Sequence, residues 1–143
     1  MKRIFDIIIS SILLILFLPL LLPVMFLVWA QDFCSPFYIA ERVGINGKHF
    51  KMVKLRSMVA NADKSGVDST SANDMRITTI GKFIRLCKLD ELTQLWNVLI
   101  GDMSLVGPRP QVQRDVDLYT EEEKNIMTAK PGITDFSSIV FSD

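Results

Sequence analysis

An adjacent acid pair, Asp90-Glu91, and an arginine between two prolines, Gly107-Pro108-Arg109-Pro110, are the residues of this chain best suited to chemistry. Both lie within one stretch at 86–110, LCKLDELTQLWNVLIGDMSLVGPRP. Neighbours on a helix point about 100° apart, so the two acids do not face each other as a dyad. Glycosidases hold two carboxyls about 5–10 Å apart on separate elements, and this adjacency does not suggest that. At a helix start, free backbone N–H groups and the helix dipole favour negative charge. Asp90 placed there suits a carboxylate nucleophile. Glu91 suits a hard cation such as Mg2+, which takes few protein carboxylates and completes its shell from substrate phosphates. The plainer alternative is a pair of ordinary first-turn acids capping a helix. Pro108 and Pro110 stiffen the backbone around Arg109, and a planar guanidinium pairs well with phosphate oxygens. Lys54, Arg56, Lys82 and Arg85 are further cations that can contact phosphate or simply face solvent. The chemistry indicated is that of phosphate and a divalent metal.

Several elements must hold these groups. Leu92, Leu95, Trp96 and Leu99 recur at helical spacing after the acid pair, which predicts one amphipathic helix running from Asp90 to a C-cap at Gly101. Ile80, Phe83, Ile84 and Leu86 predict a helix over 77–86, with Thr78-Thr79 as caps. Phe37–Ile39 and His49–Leu55 read as strands of a hairpin, turned by Gly44-Ile45-Asn46-Gly47. Val59–Asp63 has some helical character, and Ser65–Asn73 reads as a polar loop. Thr120-x-x-Glu123 has capping-box spacing and predicts a helix to about Ala129, closed by Lys130-Pro131-Gly132.

The other strong signal is apolar. No charged residue occurs from Ile7 to Ala30. The run is longer than a signal-peptide core and ends on Trp29-Ala30-Gln31-Asp32-Phe33 without a small-residue cleavage site. About 20 apolar residues suffice to span a bilayer, but Pro19 and Pro23 sit inside the run, where proline kinks or ends a helix. Basic residues flank both sides: Lys2 and Arg3 before it, Arg42, Lys48, Lys51, Lys54 and Arg56 after it. Basic flanks mark the cytoplasmic side. A helix that enters, bends at Pro19 and Pro23 and returns to the same face satisfies both flanks; a kinked single-pass anchor is the alternative. Trp29, Phe33, Phe37 and Tyr38 mark the exit at headgroup level. Asp6 reads as an interfacial residue beside Lys2 and Arg3.

Composition narrows the function further. The chain has 143 residues and a formal net charge of +0, so there is no basic field for nucleic acid. Cys34 and Cys87 form no disulfide framework and read as free thiols in a reducing compartment. His49 has no partner at metal-ligand spacing. Neither a Walker loop nor Gly-x-Gly-x-x-Gly occurs, which disfavours an ATPase or a dinucleotide enzyme.

These motifs together resemble one family. Lys2-Arg3-Ile4-Phe5-Asp6, the proline-broken apolar run, Phe50–Met58, Leu89-Asp90-Glu91-Leu92, Gln94–Leu99, Gly101–Pro110 and Lys130–Thr134 resemble the pattern of bacterial sugar transferases of the monotopic phosphoglycosyl transferase type. The likeness covers nearly the whole chain up to Thr134. It implies transfer of a phosphosugar from a UDP-sugar to polyprenol phosphate with release of UMP, an early membrane step of glycoconjugate assembly. It implies Asp90 as the nucleophile that forms a covalent phosphosugar intermediate, and Glu91 as a Mg2+ ligand. Lys54, Arg56, Arg85, Pro108, Arg109 and Pro110 are the candidate substrate contacts.

The expected fold is α+β and mainly helical. Residues 1–36 form a re-entrant membrane helix broken at Pro19 and Pro23, and residues 37–143 a small cytoplasmic catalytic domain with a short β-hairpin. The expected location is the cytoplasmic face of the bacterial inner membrane, with UDP-sugar, polyprenol phosphate and membrane lipid as partners, no nucleic acid, and room for a homo-oligomer. The rival is a membrane-anchored binding or regulatory module without activity. Relative to the family pattern, Leu18 replaces a common Ser and Thr93 a common Pro, the latter with little expected consequence. Asp135-Phe136-Ser137-Ser138 stands where Gly and an aromatic are common, and the chain ends short of the usual length, which reads as a C-terminal truncation.

Overall fold

The computed structural model describes residues 1–65 and 74–135. The Ser65–Asn73 loop and the segment from Phe136 onward therefore lie almost wholly outside the described residues. The architecture is mainly helical with two small sheets. Helix α1 spans Lys2–Ala30 and contains both Pro19 and Pro23. Strands β1 (Phe37–Val43) and β2 (His49–Leu55) pair antiparallel, with Phe37 opposite Leu55 and Val43 opposite His49. β1 is longer than the sequence signal because Ala40 and Val43 also face inward. Asn46 (φ 54°) and Gly47 (φ 75°) make the tight turn between them.

Helix α2 (Thr79–Leu86) begins as its sequence predicts, with the Thr78 hydroxyl accepting from Gly81 N at 2.9 Å. The expected single helix from Asp90 to Gly101 is instead two short ones, α3 (Leu89–Leu92) and α4 (Leu95–Ile100). The cause lies at Thr93. Its hydroxyl donates to the carbonyls of Asp90 and of Val53 in β2, both at 3.1 Å. The chain tightens there, with Gln94 N donating to Glu91 O at 3.0 Å. This rotates α4, so Trp96 of the expected apolar stripe is 55% exposed while Asn97 is fully buried. Thr93 thus has a larger effect than its sequence context indicated. Gly101 is the C-cap as expected, at φ 104°.

Strand β3 (Ser104–Val106) pairs in parallel with β4 (Gly132–Thr134). Between them lie α5 (Gln113–Val116) and a 3-10 segment, Glu123–Thr128. The capping box is present: Thr120 N donates to Glu123 Oε2 at 2.8 Å and Glu123 N to Thr120 Oγ1 at 3.3 Å. The helix it opens is 3-10 rather than α, and the one near Val59–Asp63 is a 3-10 turn at Ala62–Ser65.

Two clusters form the core. One joins Val24 and Val28 of α1 to Leu55, Ile84 and Leu89. The other joins Ala40, Phe50 and Met52 of the hairpin to Val98 and Met103. Asn97 bridges hairpin and α4: its Nδ2 donates to Lys51 O at 2.8 Å and its Oδ1 accepts from Val53 N at 2.9 Å. Those bonds satisfy a strand edge that has no further sheet neighbour among the described residues. Helix α1 packs at both its ends. Asp6 and Ser10 are buried near its start, and Leu21, Val24 and Val28 near its end. Most of its remaining apolar side chains, Ile8, Ile12, Ile15, Leu16 and Phe26 among them, are exposed, and the helix is long and apolar enough to cross a membrane.

Candidate active site

Lys54 leaves the outer end of β2 and Asp90 the first turn of α3, and their side chains approach to 4.0 Å (Lys54 Nζ to Asp90 Oδ2). Three features set this meeting. Leu89 is buried in the core cluster shared with α1, which fixes the base of α3. The Thr93 hydroxyl ties the backbone of Asp90 to Val53, the neighbour of Lys54. Lys88 turns the chain from α2 into α3 in the left-handed region, at φ 52°, a conformation that costs a non-glycine residue about 1–2 kcal/mol. Asp90 and Lys54 are both partly buried, with side chains 18% and 24% exposed. Glu91 is half-buried, and its side chain makes no hydrogen bond or ion pair among the described residues. With α3 only four residues long, its dipole is a smaller influence on Asp90 than the single long helix expected from sequence, and Lys54 is the nearer positive charge.

Arg85 lies on α2, the helix packed against α3. Gly81 lets α2 lie directly on Ser57, since a Cβ at Gly81 would sit 1.8 Å from the Ser57 carbonyl oxygen. The close approach brings Arg85 Nε to Ser57 Oγ at 2.9 Å. Arg56 behaves differently from its expected role. Its guanidinium is committed to Asp32 through bonds of 2.6 and 2.7 Å, and to the Val28 carbonyl at 3.2 Å. This fork holds the Asp32 carboxyl down at about 2. Arg56 therefore fastens the end of α1 to the residue that follows β2, with both terminal nitrogens of its guanidinium used there. The expected interfacial role of Asp6 is corrected too: Asp6 is buried, 5% exposed, and accepts from Ser104 Oγ at 2.8 Å.

Arg109 lies elsewhere. Its loop is stitched to the 130–134 segment: Gly132 N donates to Pro108 O at 2.9 Å and Gly107 N to Thr134 O at 3.0 Å. Gly107 and Gly132 cross in contact, and a Cβ on Gly132 would sit 2.1 Å from Gly107 N. Beyond the loop, Val43 N donates to Gln111 O at 2.9 Å, docking it at the turn end of the hairpin. Lys54 sits opposite Tyr38, five ladder positions from Val43, a separation of roughly 17 Å along the strand. Arg109 lines a depression with Pro108, Gln111, Val116 and Tyr119, of which Asp90 and Glu91 are not walls. The candidate residues are thus spread over two regions: Asp90, Glu91 and Lys54 at the open end of the hairpin, with Arg85 on the neighbouring helix α2, and Pro108, Arg109 and Pro110 toward its turn. A ligand touching both must be extended, with anionic groups at the first.

Among the described residues no three His, Cys, Asp or Glu side chains converge on one point. The carboxylates of Asp90 and Glu91 are hard oxygen donors, which fits a cation that takes one or two protein ligands and completes its shell from phosphate and water.

A bacterial sugar transferase family profile matches residues 1–142. The chain belongs to the bacterial sugar transferase family. It is 41% identical over 149 aligned residues to the UDP-galactose-lipid carrier transferase of Erwinia amylovora, covering 94% of this chain and 31% of that protein. It is 38% identical to the exopolysaccharide production protein ExoY of Rhizobium meliloti, over 93% of this chain and 66% of that one. A putative undecaprenyl-phosphate N-acetylgalactosaminyl 1-phosphate transferase of Bacillus subtilis is 44% identical, over 93% and 70%. The chain therefore spans from about a third to about two thirds of the length of these relatives. In this sugar transferase, sequence reasoning missed four polar residues that hold the site: Asp6, Thr93, Asn97 and Ser104, each less than 9% exposed. The signal available for two of them is a polar side chain within an otherwise apolar helical stretch, Thr93 and Asn97 in LTQLWNVLI. For Asp6 and Ser104, far apart in sequence, no local signal exists.

Proposed function

We propose that this bacterial sugar transferase moves a phosphosugar from a UDP-sugar to polyprenol phosphate, releasing UMP, with Asp90 as nucleophile. The observation that carries the reading is the placement of Asp90: a partly buried carboxylate held at 4.0 Å from Lys54 by a helix that is rooted against the membrane segment. An Asp90 carboxylate oxygen attacks the β-phosphorus of the donor. The bond from that phosphorus to the bridging oxygen breaks, and UMP departs with the electron pair. The acceptor phosphate oxygen then attacks the resulting acyl phosphate, which restores the carboxylate and yields polyprenol diphosphosugar. Lys54 and Arg85 lower the repulsion between anionic nucleophile and anionic diphosphate. Mg2+, when bound by Glu91, supplies further charge neutralisation to the diphosphate. Arg109, between Pro108 and Pro110, takes the distal part of an extended donor.

The reading extends to the membrane. Helix α1 is 29 residues, about 43 Å if straight, against a hydrocarbon core of about 30 Å. Both its ends pack on the same small body: Asp6 on β3, and Val24 and Val28 on Leu55, Ile84 and Leu89. A spanning helix would carry its start away from that body. These contacts support a re-entrant helix on the cytoplasmic face of the inner membrane, with Pro19 and Pro23 near the turning point. Exposed Phe83 and Leu86 on α2, and Trp96 and Ile100 on α4, support an active site resting at lipid level, where a polyprenol acceptor arrives. The relatives' names point to galactose or N-acetylgalactosamine donors for those proteins, and one or another hexose is the expected donor here.

The test is UMP release across a set of UDP-sugars with polyprenol phosphate and Mg2+. A donor labelled in its β-phosphate and given without acceptor should leave label on Asp90, releasable by hydroxylamine. Asp90→Asn should fold, because Asn still suits a helix start, and should lose turnover. Label mapping elsewhere, or turnover by Asp90→Asn, would leave the acid pair as a helix cap only.

A further inference from the structure

The start of α1 is fastened to the body of the protein by groups for which the proposed chemistry has no use. Asp6 is 5% exposed and Ser104 1% exposed. Asp6 Oδ2 accepts from Ser104 Oγ at 2.8 Å, and Oδ1 from the Leu105 backbone N–H at 3.4 Å. Lys2 Nζ donates to Val106 O at 3.1 Å. Arg3 donates to the carbonyls of Val98 and Leu99 in the last turn of α4, where a cation is favoured. A buried carboxylate is costly unless its oxygens are bonded, so this arrangement binds the first turns of α1 to β3.

β3 is three residues long, has β4 as its sheet neighbour, and runs directly into Gly107-Pro108-Arg109-Pro110. So short a strand has little hold of its own. Its other contacts come from α4 and the hairpin core, on which Leu105 packs, and from the membrane helix, which supplies the side-chain hydrogen bonds to Ser104, Leu105 and Val106. From this geometry we infer that Asp6 is a positioning residue for substrate: by fixing Ser104 and Leu105 it sets where the Arg109 loop stands. The membrane helix is then part of the donor site and not only an anchor. The inference rests on the reading of Arg109 as a donor contact.

The experiment compares Asp6→Ala, Asp6→Asn and Ser104→Ala in the full chain in lipid nanodiscs, with Leu21→Ala as control. Leu21 is buried in the far half of the same helix, so its truncation loosens the helix without touching β3. Asp6→Ala and Ser104→Ala should raise the donor KM about fivefold or more with little change in kcat. They should also speed backbone hydrogen exchange at 104–107. Asp6→Asn keeps one oxygen to accept from Leu105 N–H, while its amide nitrogen can donate to the Ser104 hydroxyl, and should recover most of the donor affinity. Leu21→Ala should lower the melting temperature and leave the donor KM unchanged. If Asp6→Ala does not fold, Ser104→Ala and Asp6→Asn carry the comparison. Unchanged exchange at 104–107, faster exchange with an unchanged KM, or an equal KM rise in Leu21→Ala would overturn the inference. A parent enzyme that releases no UMP from any UDP-sugar sinks the proposed function instead, and exchange at 104–107 then decides alone whether Asp6 orders the loop.

Discussion

Each candidate side chain has its role decided by its neighbours. Arg56 and Arg85 look alike in sequence, yet one spends its fork on Asp32 and the other donates to Ser57 through its Nε. Sequence motif alone could not separate them, because Asp32 and Ser57 come from different elements that meet only in the fold. Arg109 is exposed and joins neither acid, so its contribution must come through ligand. Arg109→Lys keeps the charge but loses the planar fork. It should raise the donor KM by about tenfold to a hundredfold, the loss of one charge-assisted bond of about 1.5–3 kcal/mol, and steady-state kinetics at varied donor would show it. A lysine variant equal to the parent would remove Arg109 from the donor site. His49 gives a pH-dependent case. The hydrogen bond to Glu41, aided by one to Gln113, raises its pKa above the usual 6.5. Its stabilisation is therefore fully present below 6.5 and fades as pH climbs through the raised value. The difference in melting temperature between the parent and His49→Leu should shrink from mildly acidic to mildly basic pH, and a constant difference would mean the protonated ring is not what matters.

At the scale of elements, the close crossing of Gly107 and Gly132 makes the firmest prediction. A Cβ on Gly107 would stand 2.2 Å from Lys130 O, a backbone atom that cannot swing aside. Gly107→Ala should cost at least the ~1–3 kcal/mol of an overpacked core and lower the melting temperature clearly, whereas Gly47→Ala meets no atom within 4 Å and should act through its positive φ alone. The elements that sequence predicted well are those with local signals: the Asn-Gly turn, the Thr78 cap, the Gly101 cap and the Thr120–Glu123 box. The split of α3 from α4 was not legible, because it depends on a hydroxyl of Thr93 finding Val53 across the fold. The acid pair stood out as a candidate by its type and position, but its neighbouring cation, Lys54, could be picked from the other basic residues only once β2 lay beside α3. The distance from Asp90 to the Arg109 loop was hidden for the same reason, since it follows from the hairpin register.

At the scale of the whole molecule, the proposed re-entrant topology makes a prediction about the two prolines inside α1. Replacing both Pro19 and Pro23 by Leu restores backbone donors and favours a straight spanning helix. A tag on Met1 should then move to the periplasmic side in sealed vesicles, and a tag that stays cytoplasmic would assign the topology to the end contacts instead. The core cluster beneath Leu89 has a further consequence. Two of its five buried members, Val24 and Val28, belong to the apolar helix, and Arg56 closes over the same junction on Asp32 and the Val28 carbonyl. A cut between residues 36 and 37 follows the change in composition, but it passes through a packed interior. The piece starting at residue 37 would expose Leu55, Ile84 and Leu89 to water and leave a guanidinium without its carboxylate. Removing the apolar helix to make the protein soluble would therefore also remove the floor on which the Asp90 turn rests.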